Sequence, residues 1–268
     1  MGKRINRDNV NLQGLTPISC IRCCLKTGAF CAVTLLLSPF YFFLLLLFYR
    51  WRTTVGPRLV QFYSKMCLVI FRVKIDHVEK HSRIHKVGKG ILIISNHTSF
   101  LDIFVLSALF GTVFVSKAEL KLYPIIGQIA WLMGVIFLDR ESSRERIRVL
   151  KMIAHTCSSR ILAVFPQGTT GRITERLPFS RGIFKVIQLN PELTLVPVTL
   201  HYQDDAEIAW HTPQTLREHA VRVCSRKGIS VKVIVHNPVT FNDYREKTSS
   251  EICALVEKTV MEPLHAGE

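Results

Sequence analysis

At 268 residues, 48% of them hydrophobic, the chain is long enough for one large domain or two small ones and can bury a substantial core. Lys and Arg number 35 against 20 Asp and Glu, a formal charge of +15, which points to an anionic partner: nucleic acid, an anionic membrane surface or a phosphorylated small molecule. The pair Cys20 and Cys23 has no second Cys-x-x-Cys to complete a zinc site, so no metal is expected. The 8 cysteines read as reduced thiols, and the Cys20–Cys24 cluster, beside an apolar segment, is a candidate for lipidation.

Residues 1–27 form a basic tail with Lys3, Arg4, Arg7, Arg22 and Lys26. From Gly28 to Tyr49 the chain runs 22 residues without a charge. At about 1.5 Å per helical residue that run can cross a hydrocarbon core of roughly 30 Å. It starts too late and lacks the small-residue cleavage site of a signal peptide. Pro39 would kink a helix there. Cations flank both ends, so charge alone gives no orientation for a single span. Two arrangements fit: one kinked span, or a hairpin that enters and leaves the same leaflet with Val55–Val73 as an amphipathic second arm. In that arm Leu59, Phe62, Tyr63, Met66, Ile70 and Phe71 would share an apolar face. The hairpin is preferred, because both basic flanks then share the cytosolic side. The expected regions are thus a tail (1–27), a membrane-anchoring helical segment or hairpin (28–72) and a globular domain (73–268).

Beyond Val73, short apolar runs alternate with helical patterns. Strands are expected at Ile91–Ile94, Thr112–Ser116, Gly134–Leu138, Ile161–Phe165, Thr194–Thr199 and Val231–His236. Helices are expected at Phe100–Phe110, Ala118–Trp131 (interrupted at Pro124), Ser142–Ser158, Ser180–Leu189 and Ser249–Val260. The alternation predicts an α/β fold with a largely parallel sheet flanked by helices. The stretch Gln203–Gly228 shows no readable pattern.

The strand Ile91–Ile94 is followed by Ser95-Asn96-His97-Thr98-Ser99-Phe100-Leu101-Asp102. A histidine delivered by a strand to the mouth of a helix stands at the carboxyl edge of the sheet, where open α/β folds bind ligands. Thr98 and Ser99 are candidate helix caps, and Asp102 can fold back to hold the imidazole in one tautomer. The pair alone fits equally a strand-ending His and a first-turn Asp with structural roles only. Arg140, after the strand Gly134–Leu138, suits a bidentate phosphate grip, or else pairs with Glu141 or Glu145 on the surface. In Phe165-Pro166-Gln167-Gly168-Thr169-Thr170-Gly171-Arg172, the glycines permit a tight turn with exposed N–H groups, and Thr169 and Thr170 add hydroxyls. Such a turn can hold a phosphate, polarise a carbonyl, or simply leave a strand. The other nine histidines, of 10 in all, read as surface or core residues. No Gly-x-Ser-x-Gly elbow occurs.

Four blocks stand in order: Asn96–Asp102; Gly134-Val135-Ile136-Phe137-Leu138-Asp139-Arg140; Phe165–Arg172 with Leu177-Pro178-Phe179; and Leu195-Val196-Pro197-Val198. Lys117-Ala118-Glu119-Leu120, Pro124 and Gly127 lie between the first two. With these the sequence resembles the glycerolipid acyltransferase family that includes the lysophosphatidic acid acyltransferases. The resemblance runs from about Val73 to Leu200. It implies an acyltransferase domain at 73–268 facing the cytoplasm, with His97 as general base, Asp102 as its orienter, and Lys117, Arg140, Gln167, Gly168, Thr169, Thr170 and Arg172 as substrate-binding residues.

The implied reaction moves an acyl group from acyl-CoA or an acyl-carrier protein to a lysophospholipid hydroxyl. Lysophosphatidic acid would give phosphatidic acid, with no cofactor, no metal and no nucleic acid. With no Ser or Cys in a nucleophile elbow, the acceptor hydroxyl attacks directly, and an imidazole suits the general-base work at neutral pH. The partners implied are membrane phospholipids, the lysophospholipid and the thioester. Two positions depart from the family pattern: Gln167 stands where Glu is usual, and Thr170 where many lysophosphatidate enzymes have Arg. Arg172, Arg176 and Arg181 are candidates for the missing cation. The rival reading from the Gln167 departure is a non-catalytic membrane adaptor on the same fold. A nucleic-acid binder is suggested by charge alone, without a recognised motif.

Overall fold

The structure is a computed structural model that describes residues 16–47, 52–79, 90–122, 127, 130, 135–138 and 143–265. The described strands form one sheet in the order β1-β7-β6-β2-β5-β3-β4. They are β1 (Val73–Glu79), β2 (Ile91–Ser95), β3 (Val113–Lys117), β4 (Ile136–Leu138), β5 (Leu162–Val164), β6 (Thr194–Tyr202) and β7 (Ile229–Val235). Strands β2 to β6 run parallel, so their carboxyl ends share one edge. Strand β7 is antiparallel to β6, and β1 is parallel to β7. The pairs Tyr202–Val231 and Val73–Ile229 therefore bring the amino ends of β7 and β1 to that same edge.

Strand β2 explains why the sheet is covered on both faces. Its apolar residues are all buried; Ile91 and Ile93 point into one core, Leu92 and Ile94 into the other. Each such side chain contributes on the order of 1.5–3 kcal/mol on burial. The first core holds helices α1 (Pro17–Leu47), α2 (Arg52–Phe71) and α3 (Leu101–Phe110) against the sheet. The second packs helices Ser143–Cys157 and Ser249–His265 on the opposite face.

Several expectations need correction. Strand β1 was not predicted. Its run Val-Lys-Ile-Asp-His-Val-Glu pairs only with β7 at the sheet edge, where exposed Lys74 and Asp76 pair with each other at 2.9 Å, so the apolar signal is diluted. The helix expected over Ser180–Leu189 is a 3₁₀ turn, Arg181–Lys185, running into a single α turn, Val186–Leu189, with Gly182 weakening the first half. After β3 the chain forms a 3₁₀ turn, Ala118–Leu122, and most of the remainder of the helix expected there lies outside the described residues, as do Gly134 and Arg140. The unreadable stretch after Gln203 contains helices Asp205–Ile208 and Leu216–Ser225.

At the amino end, α1 begins at Pro17, inside the segment expected to be a tail. The stretch Pro17–Tyr41 is long and apolar enough to cross a membrane, with 11% of its apolar window buried. Helix α2 packs beside it, with Thr34 and Tyr63 hydroxyls 2.8 Å apart and the rings of Phe30 and Phe71 5.5 Å apart. The buried face of α2 is Val60, Tyr63, Ser64, Cys67, Leu68 and Phe71; Phe62, expected on the apolar face, is 54% exposed. The domain boundary drawn at residue 72 is therefore crossed by the core, since Tyr63, Cys67, Leu68 and Phe71 share one cluster with β6 and β7.

Candidate active site

The β2–β6 ladder ends at Ser95 opposite Val198. Asn96 then continues the pairing with its side chain: Nδ2 donates to Leu200 O at 2.9 Å, and Oδ1 accepts from Leu200 N at 2.8 Å. The amide substitutes for a peptide unit, so the main chain can leave the sheet without orphaning Leu200. His97 is the next residue. Its N–H donates to Gln167 Oε1 at 2.6 Å and its carbonyl accepts from Gly171 N at 3.2 Å. The imidazole lies flat on Phe165, centroids 4.0 Å apart and planes at 8°, with Phe114 stacked behind at 5.7 Å. The stack fixes the plane of the ring and leaves both nitrogens at its edges.

Asp102 occupies one of those edges. Its Oδ2 lies 2.8 Å from His97 Nδ1 and accepts from Thr98 N at 2.7 Å and Ser99 N at 2.9 Å. Its Oδ1 accepts from Tyr202 OH at 2.7 Å. Of the two candidate caps, Ser99 Oγ accepts from Leu101 N, the first residue of α3, at 3.3 Å, whereas the Thr98 hydroxyl accepts from Asn96 Nδ2 at 3.5 Å, and Asp102 in the first turn takes the loop N–H groups. A carboxylate there also meets the positive end of the helix dipole. Burial, and then the Asp102 charge, hold the Tyr202 phenol well above its ordinary range, so it stays protonated and donates. With Oδ2 accepting throughout, Nδ1 carries the proton and Nε2 presents its lone pair. The His97 side chain is 17% exposed while Asp102 is fully buried, so the imidazole is open to solvent and the carboxylate is not.

The third block closes the other side. Gly168 adopts φ +75° as the chain turns after β5. At Gly171 an added Cβ would lie 2.6 Å from Glu175 Oε2 and from Leu177 Cδ1, so a larger residue would have to push both side chains aside while its N–H kept the bond to His97 O. The expectation of exposed glycine N–H groups is corrected, because Gly168 N donates to Phe165 O at 3.0 Å and Gly171 N to His97 O. Gln167 uses both ends of its amide, donating Nε2 to Leu177 O at 3.4 Å while Oε1 holds His97 N. A carboxylate could accept that N–H but could not donate to Leu177, so Gln here is a structural clamp. Thr169 is exposed and Thr170 half-buried. Arg172 is half-buried, its Nη2 2.9 Å from His211 Nε2. Lys117 ends β3 at this edge. Strand β4, which precedes Arg140, runs parallel to β3 towards it.

Asn96, Phe165 and Tyr202 carry no role readable from the sequence, yet the structure places all three against the His97–Asp102 loop. For Tyr202 a signal of placement exists: Val196, Val198, Leu200 and Tyr202 alternate on one face of β6, the face that packs towards α3. His219, fully buried, bonds Ser99 Oγ at 3.0 Å and stacks on Trp210; burial pushes it down to about 3, so it is a neutral core histidine. No cluster of three or more His, Cys, Asp or Glu able to hold a metal ion occurs among the described residues.

Residues 72–201 match the model of the Acyltransferase family. A lyso-ornithine lipid O-acyltransferase of Brucella abortus is 29% identical over 241 residues, 81% of this chain and 87% of that protein. A 1-acyl-sn-glycerol-3-phosphate acyltransferase of Neisseria gonorrhoeae is 28% identical over 149 residues, 54% of this chain and 58% of that protein. The crystal structure of the 1-acyl-sn-glycerophosphate (LPA) acyltransferase from Thermotoga maritima superposes with a TM-score of 0.66 at 19% identity, covering 92% of this chain and 98% of that one, and so shares the fold.

Proposed function

We propose that this chain, whose residues 72–201 match the Acyltransferase family model, is an acyltransferase that esterifies the free hydroxyl of an anionic lysolipid with an acyl group taken from a thioester. Lysophosphatidic acid, giving phosphatidic acid, is the acceptor the motif pattern points to, and acyl-CoA or an acyl-carrier protein is the donor. No bound cofactor is needed. The observation that carries the reading is His97 with Nδ1 fixed on Asp102 and Nε2 at the accessible edge.

In the proposed reaction the acceptor hydroxyl gives its proton to His97 Nε2 as its oxygen attacks the thioester carbonyl. The tetrahedral intermediate collapses, the carbon–sulfur bond breaks, and the leaving sulfur takes the proton back from the imidazolium. Asp102 stabilises that imidazolium. Arg140 is the proposed grip on the acceptor phosphate. The apolar helices supply the approach from a bilayer: Phe71 at the end of α2 lies 5.7 Å from Phe100, beside the dyad.

Labelled acyl-CoA with purified protein and a lysolipid panel tests this. A diacyl product from lysophosphatidic acid is expected, with kcat/KM reduced about 10- to 150-fold in Arg140→Ala and much less on a monoacylglycerol. Folded protein that transfers to no acceptor from either donor would favour the non-catalytic adaptor.

Membrane attachment is proposed to be a same-leaflet hairpin of α1 and α2, with the acyltransferase domain on the cytoplasmic side. Tags at both termini should then be digested together on the cytosolic face of sealed vesicles; a protected N-terminal tag with a digested C-terminal one would establish a single span. High salt should not extract the protein, since apolar burial is unscreened.

A further inference from the structure

Three buried polar atoms without a hydrogen-bond partner belong to segments that adjoin the His97 loop: Arg172 Nε, Asp205 Oδ1 and Gln214 Oε1. Buried polar atoms are almost always paired, so each needs an explanation. Shared contacts tie them together. Ile173 N–H donates to Asp205 Oδ2 at 3.1 Å, Arg172 meets His211, and Gln214 N–H donates to His211 O at 2.9 Å. They are tied to the dyad as well, since Gly171 N bonds His97 O and Trp210 N bonds Thr98 O at 2.8 Å.

The charges point the same way. His211 Nδ1 lies 3.1 Å from Thr212 O and must donate to it, so Nε2 is the acceptor facing the guanidinium. Arg172 is thus held by a neutral ring, and no carboxylate pairs with it among the described residues. Burial pushes the Asp205 carboxyl up, opposed by the Ile173 N–H, with the charges of His201, Asp102 and Arg172 contributing less. One unpaired donor on a cation and two unpaired acceptors, one a carboxyl, complement a group that joins an anion to a hydrogen-bond donor.

We propose that Arg172, Asp205, His211 and Gln214 form a headgroup subsite for a lysolipid acceptor that carries an ammonium beside its phosphate or carboxylate. Arg172, positioned by His211, takes the anion; Asp205 and Gln214 take the ammonium. The acceptor's place at His97 rests on the acyl-transfer reading, whereas the subsite's charge pattern does not. Two acceptor types have this chemistry, an amino-acid lipid such as lyso-ornithine lipid and an amino-alcohol phosphate such as lysophosphatidylethanolamine.

The test is equilibrium binding and acyl transfer with the full chain in neutral-detergent micelles, using both of these acceptors and lysophosphatidic acid. Asp205→Asn keeps an oxygen for Ile173 N and removes the charge. It should weaken at least one ammonium-bearing acceptor by about tenfold or more while leaving lysophosphatidic acid unchanged. Loss on only one of the two identifies the headgroup. Arg172→Gln should weaken all three. Gln214→Met, which removes only the amide, should repeat the Asp205→Asn selectivity in milder form and carries the test if Asp205→Asn does not fold. In Asp205→Asn and Gln214→Met, equal losses on all three acceptors, or no loss on any, overturn the subsite, as does an Arg172→Gln variant that binds all three unchanged. Selective binding without turnover would keep the subsite and remove the acyl-transfer reading; turnover without selectivity would do the reverse.

Discussion

In His97→Ala, kcat for acyl transfer is expected to fall by a factor of at least ~10², the scale of losing a positioned general base. The fold should survive, because the buried Asp102 keeps three of its four donors, Thr98 N, Ser99 N and Tyr202 OH. The main-chain bonds of residue 97 to Gln167 and Gly171 do not need the imidazole. What is lost is the stack on Phe165 and the lone pair at the accessible edge. Membrane association should be unchanged, since α1 and α2 are untouched. Turnover with a labelled acyl thioester, alongside thermal unfolding, separates the two effects. Near-normal kcat in folded protein would remove His97 from the chemistry and leave the dyad a structural device.

What the sequence disclosed follows from where the information lies. Ile91–Ile94 was legible as a strand because four consecutive apolar residues buried on both faces have few alternatives. The parallel part of the sheet, β2 to β6, followed from strands alternating with helices, whereas the antiparallel pairing of β7 and the edge strand β1 did not. Asn96 was not legible, because its meaning resides in Leu200, 104 positions away. Tyr202 is separated from Asp102 by 100 positions for the same reason. Helix Leu216–Ser225 escaped notice although Thr215 and Glu218 form a capping box at its start, a local signal present in the chain. In α2 the apolar positions are legible but not their partners: periodicity cannot tell a side chain packed on the core, such as Tyr63, from one such as Phe62 that stays outside it. The Gln167 departure looked like a lost charge in sequence. In the structure its amide joins His97 to Leu177, a role that depends on donor and acceptor together.

The second large effect is expected at Asp102, where two substitutions separate shape from charge. In Asp102→Ala, the N–H groups of Thr98, Ser99 and His97 Nδ1, and the Tyr202 hydroxyl, lose their acceptor at a position with 0% exposure. Each buried donor left unsatisfied costs about 1–3 kcal/mol, and several are left at once here. At about 2–4 °C per kcal/mol for a domain of this size, Tm should drop by roughly 10 °C, and acyl transfer should be lost with it. Asp102→Asn should behave differently. Sequence reasoning alone expects an amide to upset the imidazole tautomer, as it does where nothing dictates which end of the amide faces the ring. Here Thr98 N and Ser99 N both point at the Oδ2 position, so the amide oxygen must sit there and accept from Nδ1 as before. The amide NH₂ then faces Tyr202, whose hydroxyl can turn to accept. Geometry and tautomer survive and only the charge goes. Tm should fall by far less than in the alanine variant, and kcat by about 5- to 15-fold, the roughly 1–1.5 kcal/mol between a charge-assisted bond and a neutral one. Calorimetry and turnover on the two variants decide it: an asparagine variant as unstable as the alanine one would mean that the backbone N–H groups do not orient the amide, and the tautomer account would return.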